Sequence, residues 1–281
     1  MLPNTPSFPP IGEPFNILPT VDSTNNYAMA LARRGLATHG SVYFAREQTR
    51  GRGQREKKWL SKNNQDIILS AVLQQTGFSL NSSFLLSASM ALACFDFFKK
   101  YAGAEYTRIK WPNDIYWQDR KAGGILIETI GLQQRVRGED FSNSEEMEAF
   151  IPATNNSSKY YPNRWAIVGI GININQTIFE KDLANPVSLK QITGTSWNII
   201  ELARELCRLM TKRFTSMHAN TPMEILKEYN AALYKLNQQV KLKKETAIFN
   251  TTITGVSIEG NLLTKDSLSR TYAFGEVEWV L

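Results

Sequence analysis

The sequence predicts an α+β fold, a mixed sheet with helices followed by a small all-β unit. Up to about residue 235, strand-length apolar runs and long helical stretches alternate; after Val240 only short β-like pieces remain. Size agrees, because 281 residues, 42% of them hydrophobic, bury a core without disulfides or a structural metal.

Residues 1–19 are proline-rich and read as an irregular surface arm. Ser23 or Thr24 caps a helix over Asn25–Arg34 that stops at Gly35. SVYFAR (41–46) alternates as a strand, and DIILSAVL (66–73) is a continuous apolar run suited to a central strand. Asn81 and Ser82 precede a helix that reaches Tyr101 and ends in Lys99–Lys100. YTRIK (106–110), DIYW (114–117) and GGILIET (123–129) follow as strands with tight connections. Residues 133–162 turn polar, acidic and rich in Asn and Ser, the composition of an exposed insertion. RWAIVGIGININ (164–175) restores a buried strand, and helices are expected at about 198–217 and 222–235. The tail reads VKLKK, AIFNTTITGV, NLLTK, RTYAFG and EVEWVL, the spacing of a small barrel. The expected division is an arm at 1–19, a main domain at 20–235 and a C-terminal domain at 236–281.

Cys94 and Cys207, the two cysteines, each fall in an apolar helix-like segment and read as buried free thiols in a reducing compartment. No apolar run approaches the roughly 18 residues of a membrane span. The N-terminus lacks the basic flank and apolar stretch of a signal peptide. These features describe a soluble, cytoplasmic protein with no membrane partner.

The net charge is +6, and REQTRGRGQREKKWLSK (46–62) holds seven cations against two anions, so +5 of it sits in one stretch. With Gly51 and Gly53 and almost no aliphatic residues, this stretch is a loop. Its glycines let backbone N–H groups approach a ligand, and its guanidinium groups suit phosphate oxygens. A merely solvated basic loop is the bland alternative. A single-stranded nucleic-acid binder would need aromatics among the cations, and between Arg46 and Lys62 there is only Trp59.

Two further segments carry chemistry. In KWPNDIYWQDRKAGGILIE (110–128), Pro112 and Asn113–Asp114 favour a turn, so Lys110 and Lys121 flank a hairpin. Lys121 precedes Gly123 and Gly124 and offers a charge beside an anionic reacting group; solvated hairpin lysines are the alternative. In VGIGININ (168–175), Gly169 and Gly171 mark close backbone approach, and Asn173 and Asn175 are either ligand contacts or satisfied core amides. His39 and His218 lie far from every motif.

Together these segments resemble the biotin–protein ligase family. The match comprises DSTN (22–25), the GRG loop ending in Trp59, KWPND (110–114), RKAGGILIE (120–128) and GIGIN (169–173), in the family's order and approximate spacing. The resemblance implies a class II aminoacyl-tRNA-synthetase-like catalytic domain with a C-terminal SH3-like barrel. It implies that biotin and ATP form biotinyl-5′-AMP and pyrophosphate, and that a lysine of biotin carboxyl carrier protein, from acetyl-CoA carboxylase or a related carboxylase, then displaces AMP. Carried over by position, Lys121 and Arg52 are the catalytic cations. Ser23, Thr24, Gln48, Gly51, Arg52, Gly53, Lys121 and Gly124 would bind biotin. Arg55, Lys57, Trp59, Asn113 and Asn173 would bind the nucleotide. Lys110 and Asp114 would shape the site, Asp114 also orienting the carrier lysine. Mg²⁺ is expected with ATP, although no metal-ligand cluster is visible. A lipoate or octanoate ligase of the same fold is the nearest rival. Only about twenty residues precede the motifs, too few for the DNA-binding domain some family members carry, so no DNA binding is expected. The sequence leaves a homodimer open.

The chain departs from the family's loop pattern, close to G-R-G-R-x-G-R-x-W. Gln54 replaces the second arginine, Glu56 a glycine and Lys57 the later arginine. The resemblance ties an arginine at position 54 to retention of the adenylate. Gln54→Arg is therefore expected to slow release of the intermediate, and an unchanged off-rate would sink the idea.

Overall fold

The computed structural model describes residues 8–75, 82–130, 164–180, 183 and 185–280. The polar 133–162 stretch lies outside the described residues, which are organised by two sheets. The larger holds β1 (Phe15–Val21), β2 (Val42–Gln48), β3 (Ile67–Gln75), β4 (Thr107–Lys110), β5 (Asp114–Trp117), β6 (Arg120–Ile130) and β7 (Arg164–Ile172). Its order is β1-β2-β3-β7-β6-β5-β4, with β1 and β2 parallel and all other neighbours antiparallel. The helices are α1 (Thr24–Arg33), α2 (Ser82–Ala102), α3 (Leu189–Thr193), α4 (Ile199–Ala219) and α5 (Pro222–Ala231).

Alternation along the strands divides this sheet into two unlike faces. On β7, Ala166, Val168, Ile170 and Ile172 join the main core, with Leu69 and Leu73 of β3 and Leu86, Met90 and Phe97 of α2. Helix α4 closes the same core with Leu202, Leu206, Met210 and Phe214, one turn apart along its apolar stripe. The alternate residues of β7 face the other way. Ile167 packs under Ala28 and Ala32 of α1. Beyond it, Gly169 and Gly171 hold the sheet surface clear.

The second sheet holds β8 (Gln239–Lys244), β9 (Ala247–Val256), β10 (Leu262–Lys265), β11 (Ser269–Tyr272) and β12 (Glu278–Val280), in the order β11-β10-β9-β8-β12. Every pairing is antiparallel, as expected of a small β domain. It is sewn to the first unit by Trp111, whose Nε1 donates to Gly260 O at 2.9 Å, and by Asn230, which brackets Val256.

Three details correct the sequence reading. Phe15–Val21 is a strand, not part of an irregular arm. Proline-rich composition hid it, yet Pro19 sits on an edge strand, where a missing N–H is tolerated. Helix α3 is too short to give a periodic signal, although the Ser188–Gln191 capping box was a usable cue. Helix α5 ends at Ala231 because the chain turns to cover the edge of β4, where Tyr234 N donates to Ile109 O.

Cys94 and Cys207 are free and buried in α2 and α4, as read. Among the described residues no helix is long and apolar enough to cross a membrane.

His39 gives the fold an acid-sensitive point. It is buried among Phe8 and Phe214, and its Nδ1 accepts from Gln74 N at 3.0 Å. Burial, reinforced by nearby His218, pulls its pKa down to about 4. The unfolded chain, with histidine near 6.5, therefore binds more protons than the folded one between these values. This contribution to stability is present above pH 6.5 and lost as pH falls towards 4. Denaturant titrations should show a pH slope in that window that is shallower in His39→Gln by up to about 1.4 kcal/mol per pH unit.

Candidate active site

The motif residues converge on the open face of the large sheet. A β-bulge puts Lys121 there. The β5–β6 register shifts between Ile115 and Tyr116, so that Tyr116 pairs with Lys121 and Ile115 with Gly123. The extra residue, Ala122, goes into the core, and Lys121 is turned to the side of Asp114. Segment 185–187 locks that backbone, since Lys121 N donates to Asn185 O and Val187 N to Lys121 O, both at 2.9 Å. The Lys121 ammonium then meets Asp114 Oδ1 at 2.7 Å. Gly124 lies opposite Asp114, and a Cβ there would stand 3.1 Å from Asp114 Oδ1 and 3.4 Å from Lys121 Nζ.

A second polar group lies across the face. Gln48 Oε1 accepts from Thr24 N at 2.8 Å and Thr24 Oγ1 at 3.1 Å. Ser70 Oγ bonds Thr24 Oγ1 at 2.7 Å and Asn25 Oδ1 at 2.6 Å. Asn25 Nδ2 continues to Glu128 Oε2 at 2.9 Å, and Glu128 Oε1 holds Arg52 at 2.9 Å. The network is contiguous from the start of α1 to the basic loop. Gly169 makes room for it, because a Cβ at that position would overlap the Asn25 amide.

The basic loop lies over this surface. Trp59 stacks on the bare backbone of Gly171, and its ring centroid is 6.0 Å from Lys121 Nζ. Its indole N–H is buried without a hydrogen-bond partner, an unmet donor of the kind that a ligand satisfies. Gly51 is required beneath, since a Cβ would overlap Trp59 O. Between this loop and Gln176, Ile178, Phe179, Glu180 and Leu183 lies a cavity of about 750 Å³, the size of a cofactor or small-ligand site. Arg50, Lys57, Lys58 and Lys62 line one wall and Ile178 and Phe179 the other.

Not every residue named from sequence meets the rest. Arg55 turns away to the C-terminal sheet, 3.5 Å from Glu278 and 5.3 Å from the Phe274 ring centroid. Ser23 is the buried N-cap of α1 and makes no side-chain capping bond. Gly53 donates its N–H to Lys57 O. Asn113 and Asn173 are buried and direct their Nδ2 groups to the backbone, Asn113 to Ile125 O and Asn173 to Val187 O.

Comparison with known proteins bears on this geometry. The model of the biotin/lipoate A/B protein ligase family matches residues 17–139. A protein of Mycobacterium tuberculosis named biotin–[acetyl-CoA-carboxylase] ligase is 30% identical over 230 residues, covering 81% of this chain and 74% of that one. The chain belongs to the biotin–protein ligase family. The bifunctional ligase/repressor BirA of Escherichia coli is 38% identical over 118 residues, a match to 41% of this chain but only 35% of BirA. The structure of a biotin protein ligase from Aquifex aeolicus in complex with biotin and ATP superposes with a TM-score of 0.67 at 23% identity, covering 94% of this chain and 98% of that one. That likeness speaks for the fold.

Within this biotin ligase family chain, the sequence reading missed Ser70, Glu128 and Asp66. Ser70 hides in an apolar run, and Glu128 closes a motif whose glycines drew the attention. Asp66 opens the same run as Ser70. It is buried, accepts from Ser61 Oγ at 2.7 Å and Ile174 N at 2.8 Å, and so ties the end of the basic loop to the segment after β7. Burial pushes its pKa up to about 6. A buried acid beside a serine in the loop was the available signal.

Gly169 tests the construction of the face. Gly169→Ala is expected to lower stability by about 1–3 kcal/mol through overpacking against Asn25. Removing that amide in Gly169→Ala/Asn25→Ala should recover part of the loss, measured as a double-mutant cycle in urea.

Proposed function

We propose that this protein biotinylates a specific lysine of biotin carboxyl carrier protein in an ATP-dependent reaction through biotinyl-5′-AMP. The observation that carries the reading is the pairing of both motif cations with carboxylates on one open face, Lys121 with Asp114 and Arg52 with Glu128. Two such sites are already shaped for anions, and a ligand's carboxylate or phosphate has only to replace a carboxylate of the protein. A relative named as a biotin–[acetyl-CoA-carboxylase] ligase and a neighbouring structure holding biotin and ATP support the choice of substrates.

In the first step a biotin carboxylate oxygen attacks the α-phosphorus of ATP, and the bond to the β-phosphate bridging oxygen breaks to release pyrophosphate. Two anions must approach, so fixed cations are the main requirement. Lys121 would neutralise the carboxylate and the phosphate oxygens at the reacting centre, and Arg52 the adenylate, with Gly51 and Gly53 giving backbone access. Thr24 and Gln48 would address the ureido end of biotin, with Ser23 beside them. Trp59 would meet the nucleotide and Lys57 would add charge, while Asn113 and Asn173, whose amides hold Ile125 O and Val187 O, would shape the backbone there and Arg55 would have to leave Glu278 to contribute. In the second step the carrier lysine amine attacks the carbonyl carbon of the mixed anhydride, AMP leaves, and the amine loses a proton. Asp114, freed from Lys121, would orient that amine. Among the described residues no group of three or more His, Cys, Asp and Glu side chains is arranged to hold a metal ion. Mg²⁺ that arrives with ATP needs only one or two protein carboxylates beside the substrate phosphates, and no step is routed through it here.

Incubation with labelled biotin, ATP and a carrier fragment should transfer label to the carrier with release of pyrophosphate. Lys121→Ala should slow the first step by about 10²–10³-fold, the loss typical of a preorganised charge stabiliser. Pyrophosphate release driven by lipoate and not by biotin would overturn the assignment in favour of a lipoate ligase.

A further inference from the structure

Lys110 stands on the same face, where the resemblance implies only that it shapes the site and gives it no defined action. It pairs directly with Asp114 across β4 and β5. The residue is only 9% exposed, and it makes no ion pair among the described residues. The ammonium instead donates to the Tyr116 hydroxyl at 3.1 Å and lies 4.8 Å from the Tyr116 ring centroid and 5.3 Å from that of Trp279. Tyr234 completes the box, 5.1 Å from Tyr116 and 5.7 Å from Trp279, and is itself fixed by its hydroxyl on Asp119, which also pairs with Lys235. Trp279 belongs to β12, so the C-terminal sheet closes this box over the end of the catalytic face.

Asp114 thus lies between two lysines and is bonded to one of them. When Lys121 turns towards an anionic ligand, a carboxylate only 28% exposed loses its partner. An uncompensated, half-buried charge is costly and would hold Lys121 back. We propose that Lys110 is a positioning residue that takes over the Asp114 carboxylate when Lys121 leaves it for the reacting anion. Its present partner, a neutral hydroxyl, is easily exchanged for a carboxylate, and cation–π contacts with Tyr116 and Trp279 keep the ammonium in place meanwhile. The Lys110 charge is finely balanced. Burial pulls its pKa down to about 8, Asp114 opposes that shift, and Lys121 and Lys57 add to it. Raising the pH past 8 therefore removes the charge on which the exchange depends.

This inference rests on the ligase reading, and the test separates the two. Formation of labelled biotinyl-AMP is measured in single turnovers of the full chain. Lys110→Met should slow it about tenfold in the wild-type background and less than about twofold in Asp114→Asn, where no carboxylate remains to hold Lys121. Lys110→Arg, which stays charged, should keep its pH 7 rate at pH 9, while the wild-type rate falls between them. Equal slowing by Lys110→Met in both backgrounds, no slowing at all, or the same fall at pH 9 in wild type and Lys110→Arg would overturn the positioning role. If Lys110→Met fails to fold, the Lys110→Arg comparison alone decides. A wild-type protein that makes no biotinyl-AMP would overturn the ligase reading, and this inference with it.

Discussion

The site depends on one constraint, that a sheet able to fold must bury one face and a sheet able to react must leave the other bare. Helices α2 and α4 satisfy the first demand by covering the apolar residues of β3 and β7. Glycine satisfies the second. At Gly169 and Gly171 the strand presents only backbone, and Asn25 and Trp59 use the space that side chains would fill. The strand holds its register through its buried residues while its exposed side is stripped for contact.

Electrostatics follow from that bare face. Cations gathered on one face would repel one another if left alone, and here Lys121 and Arg52 rest on Asp114 and Glu128. These pairs are partly exposed, and exposed ion pairs add little stability, so that on the proposed reading an anionic ligand would displace either carboxylate at little cost. Lys110 extends the same logic inward, with aromatic faces in place of an anion. The C-terminal sheet takes part through Trp279 beside Lys110 and through Phe274 and Glu278 beside Arg55. It belongs to the electrostatic surroundings of the site.

Much of this was legible in the chain. The largely apolar runs at 66–73 and 164–172 are central strands, paired with each other along their length, because apolar stretches of that length belong in the middle of a sheet. The basic loop was visible because glycine and charge exclude both helix and core. Other features were not legible. Pro19 argued against β1, and only its place at the sheet edge makes that proline harmless. Ser70 looked like one polar residue in an apolar run, and its meaning comes from Thr24 and Asn25, 46 and 45 residues away in the chain.

By itself, then, the sequence determined most of the strands and helices, where the positive charge is concentrated, and which motifs to single out, since periodicity, composition and local spacing are properties of neighbours in the chain. Only the tertiary structure decided the partners. A one-residue bulge puts Lys121 beside Asp114 rather than in the core, a distant glutamate receives Arg52, and a tryptophan next to the last described residue reaches Lys110. Long-range pairing of this kind is set by strand register and by the packing of one sheet on another, and neither leaves a periodic mark in the residues it joins.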